Sequence, residues 1–143
     1  MRRRWGALVC AGVVVFVGAA CGDDAGSDSG GTAGDPGDLE DVVVLDGTEV
    51  EVDSLDNSFN PQNIQVELGT TVVWENKGRT DHDIVPAGED EPGEWGVDRS
   101  DFGPGDVYEH TFEEPGTYRY YCTLHGTDEA GMIGAVVVDP GED

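Results

Sequence analysis

The sequence predicts an all-β domain, a sandwich of about eight strands. Two observations point to this class. Short apolar runs recur along the chain with turn residues between them, and the 22 Gly and 7 Pro supply those turns. A long helical pattern is almost absent. With 143 residues, the chain has room for one ordinary domain and little more.

The predicted strands follow one another at the spacing expected of a sandwich. Residues 42–45 and 48–52 are predicted as two strands around a tight turn at Asp46-Gly47. Alternating apolar and polar residues over 64–68 predict a strand with one buried face. The remaining predicted strands are residues 71–74, 107–112, 117–122 and 135–138.

The longest predicted loop covers residues 88–101, which are acidic and rich in turn residues. This stretch is predicted to be a solvated surface insertion. Trp95 is an unusual residue for such a loop. We expect it either to pack over the sandwich or to contact a partner.

The first 20 residues are predicted to be a signal peptide. Arginines at positions 2–4 precede an apolar run over residues 5–16 and then small residues before Cys21. A spanning helix needs about 20 apolar residues, so an uncleaved membrane anchor is the less favoured alternative. Residues 18–21, Gly-Ala-Ala-Cys, resemble the lipobox of bacterial lipoproteins. The resemblance implies that Cys21 becomes the lipidated first residue of the mature chain.

Residues 21–41 are predicted to be a flexible acidic linker, because Gly, Asp and Ser cannot bury enough apolar area to fold. The folded domain is then residues 42–143. Together these segments predict an exported protein, lipid-anchored at the outer face of the cell membrane or in the periplasm.

The charge balance excludes one broad class of function. Asp plus Glu number 31 and Lys plus Arg only 7, which gives a formal net charge of −24. A nucleic-acid binder that relies on a basic face is therefore excluded. The acidity favours solubility, as in adaptation to high salt, over steering toward a basic partner, because it is spread along the chain.

A small set of sulfur and imidazole residues carries the predicted chemistry. Cys122 lies on the same face of its strand as Tyr120, so its thiol points inward. His125 follows three residues later, Met132 follows His125 by seven, and His82 lies upstream. Two His, one Cys and a distant Met form the ligand set of an electron-transfer copper site.

The chain resembles the cupredoxins, the small blue-copper proteins that include plastocyanin and halocyanin. The resemblance spans about residues 48–139, and its segments are residues 59–66, 69–76 leading to His82, and 115–125 leading to 131–134. It implies a Greek-key β-sandwich and one type 1 copper ion.

The same resemblance assigns the copper ligands. His82, Cys122 and His125 would be equatorial, and Met132 axial. The spacing His-x6-Met is longer than the His-x4-Met of plastocyanin-like loops, so Met132 is the least secure ligand. Asp83 stands where well-known members have Asn. His110, in the middle of a strand, is predicted to be structural.

The implied function is one-electron transfer between a protein donor and a protein acceptor. In this family the C-terminal ligand His is the electron port, here His125, with Gly126, Gly131 and Ile133 as a candidate apolar rim. We expect a monomer and no enzymatic activity, because three His in total cannot supply further copper clusters. A copper-delivery module remains the main alternative, and a metal-free interaction domain is a third.

Overall fold

Two β-sheets face each other and enclose the apolar side chains between them. The computed structural model describes residues 39–88 and 95–141. The predicted signal peptide, Cys21 and nearly all of the predicted linker lie outside the described residues. Within these ranges no helix is long and apolar enough to cross a membrane.

Nine strands lie in the described part of the chain, close to the eight expected. In chain order they are β1 (Val42–Val44), β2 (Glu49–Ser54), β3 (Phe59–Asn60), β4 (Asn63–Glu67), β5 (Thr71–Asn76), β6 (Val85–Ala87), β7 (Val107–Thr111), β8 (Gly116–Gly126) and β9 (Gly131–Asp139). A short 3-10 helix covers Arg99–Asp101. The all-β sandwich predicted from the sequence is therefore confirmed.

The two sheets are both mixed. The first has the strand order β1-β4-β9-β8-β6, and the second has the order β3-β2-β5-β7. Strand β4 runs parallel to both β1 and β9, and β2 runs parallel to β5. The other neighbours are antiparallel.

The first two strands do not pair with each other around the Asp46-Gly47 turn. β1 pairs with β4 in the first sheet, whereas β2 pairs with β5 in the second. The turn therefore carries the chain from one sheet to the other. Local turn chemistry indicates where a chain bends, but it does not determine which strands become neighbours.

Two other expectations about strands need correction. Leu68 was placed on the buried face of its strand, but β4 ends at Glu67 and Leu68 is 42% exposed in the following turn. Cys122 was expected where a strand ends, but β8 continues to Gly126. Its predicted inward direction is correct, because Cys122 and Tyr120 are both fully buried.

Trp95 belongs to the hydrophobic core, so the segment around it is more than a solvated insertion. Its ring lies against Trp74, Phe112 and Tyr120, with centroid distances of 5.4 to 6.2 Å. A backbone bridge between Ile84 and Val97 and a hydrogen bond from the Gly96 amide to Tyr108 fix the segment. Residues 89–94 of the predicted loop lie outside the described ranges.

His110 lies in β7, away from the end of the sandwich that carries the other two histidines. Its half-buried ring is 4.8 Å from the Phe112 ring and 5.8 Å from the Trp95 ring. These contacts attach it to the apolar core, in agreement with a structural role.

Candidate metal centre

Three of the predicted ligands meet at one end of the sandwich. The donor atoms of His82, Cys122 and His125 all lie within 4.8 Å of one another. The Cys122 Sγ is 3.6 Å from Nδ1 of His82 and 3.8 Å from Nδ1 of His125. No other group of three or more such residues occurs in the described ranges.

The three residues lie on different parts of the fold. His82 lies between β5 of one sheet and β6 of the other, while Cys122 and His125 both lie in β8. In a regular strand, residues three apart point to opposite faces. The pairing of β8 with β9 is irregular between Tyr121 and Gly126, and this irregularity lets Cys122 and His125 face the same point.

Both imidazole rings turn their Nδ1 atoms toward the sulfur. The His82 side chain is fully buried, and its Nε2 atom has no hydrogen-bond partner. His125 is only half-buried, so it is the ligand nearer to solvent. The two ring centroids are 5.0 Å apart at an interplanar angle of 62°.

Burial changes the protonation of this cluster. Burial raises the pKa of the Cys122 thiol. Burial, and then the nearby His125, lower the pKa of His82. The metal-free site therefore favours a neutral thiol and a neutral imidazole, and metal binding would displace the thiol proton.

The donor set fits copper. Two of the three distances between donor atoms are 3.6 and 3.8 Å and the third is at most 4.8 Å, so one ion could lie roughly 2.0 to 2.4 Å from all three donors. That is the usual length of a bond from a transition metal to nitrogen or sulfur. Thiolate favours Cu(I), and imidazole accepts Cu(II) as well, so the same atoms suit both oxidation states.

Met132 lies near the start of β9 and is fully buried in the hydrophobic cluster that includes Cys122. The longer His-x6-Met spacing is taken up by a tight hairpin. Gly126 pairs with Gly131, and the Thr127 amide donates to the Ala130 carbonyl at 2.8 Å. The added residues therefore lie in an exposed turn.

Gly131 is required where β9 begins. Its φ is +90°, and a Cβ there would lie 2.5 Å from the His125 carbonyl oxygen. A larger residue would therefore force apart the hairpin that carries His125.

Asp83 connects the two segments that carry the ligands. Its buried carboxylate accepts hydrogen bonds from the backbone amide of Thr123, at 2.7 Å, and from the Thr123 hydroxyl. The side chain at position 83 therefore braces the segment that carries Cys122, with a carboxylate as the acceptor.

Two residues with no predicted role, Asn76 and Gly78, organise the segment before His82. The buried Asn76 amide donates to the carbonyls of Thr80 and Phe102, at 3.0 and 2.9 Å, and accepts from the Gly78 amide at 3.0 Å. The available signal was the Asn-x-Gly pattern directly after a strand, which is typical of a turn.

A mixed β-sandwich that gathers two imidazoles and a buried thiol at one end defines a copper protein of the cupredoxin class. The family model described as copper binding proteins, plastocyanin/azurin family, matches residues 47–139. The chain belongs to this family of blue copper electron carriers, and its cofactor is copper.

Two curated relatives are similar in sequence. Halocyanin of Natronomonas pharaonis is 37% identical over 106 residues, which cover 72% of this chain and 63% of that protein. Plastocyanin B'/B'' of Nicotiana tabacum is 34% identical over 91 residues, which cover 57% of this chain and 88% of that protein. The chain thus spans a little less than two thirds of the halocyanin and most of the plastocyanin.

Solved structures give the same fold. A purple cupredoxin from Nitrosopumilus maritimus matches with a TM-score of 0.52 and 26% identity, over 62% of this chain and 98% of that chain. A copper-containing nitrite reductase from Thermus scotoductus matches with a TM-score of 0.56 and 29% identity. That match covers 68% of this chain but only 24% of the reductase, so the likeness is to one part of that enzyme.

Proposed function

We propose that the protein carries single electrons on one copper ion held by His82, Cys122 and His125, with Met132 as the axial ligand. The observation that supports this function best is the preformed cluster in which both Nδ1 atoms lie within 3.8 Å of the Cys122 sulfur. The bound copper supplies the chemistry by alternating between Cu(I) and Cu(II).

The chain's own part is to hold the ligands in nearly one geometry. His82, Cys122 and Met132 are fully buried, so packing restricts their side chains. Because the ligands barely need to move when the charge of the ion changes, little reorganisation opposes the transfer.

His125 is the proposed site at which electrons enter and leave. It is the most exposed of the four ligands, and its neighbour Leu124 is 42% exposed. Gly126 and Ile133 are half-buried and Gly131 is exposed, so all three are accessible to form the proposed apolar rim. A small surface patch of this kind suits a short-lived contact with a protein that donates or accepts the electron.

We assign residues 1–20 to a signal peptide, Cys21 to a lipid anchor, residues 21–41 to a linker and residues 42–143 to the copper domain. In this arrangement the exported, monomeric domain is attached to the outer face of the membrane through Cys21. The support for this assignment is the residue pattern of the N-terminal segment. Mass spectrometry of the mature protein tests it by locating the first residue and any acyl chain on Cys21.

A copper titration tests the function. The protein is prepared without residues 1–20 and with Cys21→Ser, so that Cys122 is the remaining thiol. One equivalent of Cu(II) should produce an intense thiolate-to-copper band that reductant removes and oxidant restores. Cys122→Ala should lose this band, and His110→Gln should keep it.

Two other outcomes would contradict the proposal. A wild-type protein without the band would leave a metal-free β-sandwich. Copper that binds but cannot be cycled, and that passes to a copper chelator, would identify a delivery module instead.

A further inference from the structure

The backbone of Gly78 lies directly against the ring of His82. A Cβ atom built on Gly78 would be 2.8 Å from Nε2 of His82, closer than unbonded carbon and nitrogen atoms approach. The φ angle of Gly78 is outside the left-handed region, so the backbone itself would accept another residue. The neighbouring ring is therefore what requires glycine at this position.

The Gly78 backbone lies against the edge of the His82 ring that faces away from the Cys122 sulfur. Nδ1 of His82 is 3.6 Å from the Cys122 Sγ, and Nε2 is buried without a hydrogen-bond partner. Packing, and not a hydrogen bond, therefore limits movement of the Nε2 edge, and the Gly78 backbone forms part of the surface against it.

Hydrogen bonds hold Gly78 in place. Its amide donates to the Ser54 carbonyl and to Oδ1 of Asn76, each at 3.0 Å. The side-chain amide of Asn76 in turn donates to the Phe102 carbonyl, which also accepts from the backbone amide of His82 at 3.1 Å. Gly78 and His82 are therefore fixed to the same buried framework.

The next residue along the chain is clamped from outside. Asp56 accepts from the Arg79 amide at 2.7 Å and from the Arg79 guanidinium at 2.6 and 2.8 Å. Asp56 Oδ1 would also lie 3.1 Å from a Cβ on Gly78. These bonds restrain the backbone that directly follows Gly78, and the Asp56 carboxylate further narrows the space for a side chain at position 78.

We propose that Gly78 is a positioning residue for His82. Its backbone forms a fixed wall behind the imidazole and keeps Nδ1 directed at the Cys122 sulfur before any metal arrives. The inference rests on the proposed function only in treating His82 as a copper ligand.

Gly78→Ala tests this inference, with Gly103→Ala as the matched control. Neither glycine has a left-handed φ, and a Cβ on Gly103 would meet only the carboxylate ends of Asp81 and Asp106, at 3.3 Å. Histidine ring signals are recorded by two-bond ¹H–¹⁵N NMR on the metal-free proteins. In Gly78→Ala the His82 signals should shift while those of His110 stay unchanged, and Gly103→Ala should leave His82 unchanged.

Copper binding provides the second measurement. Cu(II) affinity, measured by competition with a chelator, should fall about 10-fold to 100-fold in Gly78→Ala, the usual effect of changing groups that orient a ligand. The thiolate-to-copper band should also change its position or shape. Gly103→Ala should match the wild type in both respects.

The outcomes separate this inference from the proposed function. Unchanged His82 signals and unchanged affinity in folded Gly78→Ala would overturn it. If Gly78→Ala does not fold, Asp56→Ala replaces it, because this change loosens the wall without adding an atom. Broadened His82 signals in Asp56→Ala would support the inference, and unchanged signals would overturn it. A wild-type protein that binds no copper would contradict the proposed function. The NMR comparison of the metal-free proteins would still show whether Gly78 positions His82.

Discussion

The carboxylate of Asp83 accepts two hydrogen bonds from Thr123, one from the backbone amide and one from the hydroxyl. Asp83 directly follows His82, and Thr123 directly follows Cys122. The pair therefore ties together two segments 40 residues apart, one position beyond the ligand that each segment carries. It also places a buried negative charge beside the copper site.

Replacing Asp83 with Asn should raise the reduction potential. The negative charge of the carboxylate favours Cu(II) over Cu(I). At an effective dielectric constant near 20, one charge contributes on the order of 1–2 kcal/mol at a separation of roughly 8–16 Å. The Asn oxygen still accepts from the Thr123 amide, so the fold should persist. Voltammetry measures the change, and Thr123→Val, which keeps the charge, should move the potential much less. A potential that is unchanged or lower in Asp83→Asn would contradict this expectation.

Met132→Ala should lower both stability and the reduction potential. Met132 is fully buried, and truncating such a side chain costs about 2–5 kcal/mol of unfolding free energy. Loss of a thioether, which favours Cu(I), should make reduction harder while the thiolate band persists. Val136→Ala, also fully buried in β9, should reduce stability alone. Equal potentials in Met132→Ala and the wild type would exclude Met132 as a ligand.

Trp95→Ala should destabilise the metal-free protein by about 3–5 kcal/mol, because it empties a site lined by aromatic rings. Trp95→Phe should cost less than half of this, since the Trp95 Nε1 has no hydrogen-bond partner to lose. Urea unfolding followed by circular dichroism gives both values. A loss below about 1 kcal/mol in Trp95→Ala would fit a surface loop instead.

His110 should make stability depend on pH. Burial lowers its pKa below the usual value of 6.5, and Glu113 opposes this only in part. Protons therefore bind the unfolded state more readily, so stability is complete above pH 6.5 and falls as the pH drops toward the pKa of the folded state. In metal-free protein, His110→Gln should show a shallower slope of stability against pH between pH 7.5 and 5, and His82, whose pKa burial also lowers, contributes to the remaining slope. Identical slopes in His110→Gln and the wild type would show that groups other than His110 cause the pH dependence of stability.

The sequence predicted the parts of the fold that depend on short-range pattern. Alternation placed Cys122 inward, and turn residues separated most of the strands. The spacing of Cys122 and His125, together with the resemblance to the cupredoxins, predicted that these two residues lie near His82, and the structure brings the three together. The sequence could therefore predict which side chains point inward and which chemical groups are available to bind a metal.

Pairing between distant strands could not be read from local pattern. Nothing within residues 42–52 indicates that β1 and β2 join different sheets, because their partners lie elsewhere in the chain. Trp95 was equally ambiguous, since its burial depends on Trp74 and Phe112 rather than on its acidic neighbours. The role of Gly78 depends on a contact with His82 that only the folded chain creates.

The position of β9 has a consequence for how the protein is made. β9 lies in the centre of its sheet, where it pairs with β4 through partners such as Asn63 and Ala135. Until residues 131–139 have been synthesised, β4 and β8 have no strand between them. Folding must therefore wait for nearly the whole chain, and such distant pairing is slow. The proposed ligand Met132 lies in β9 itself, so the full set of proposed ligands is gathered only when β9 takes its place in the sheet.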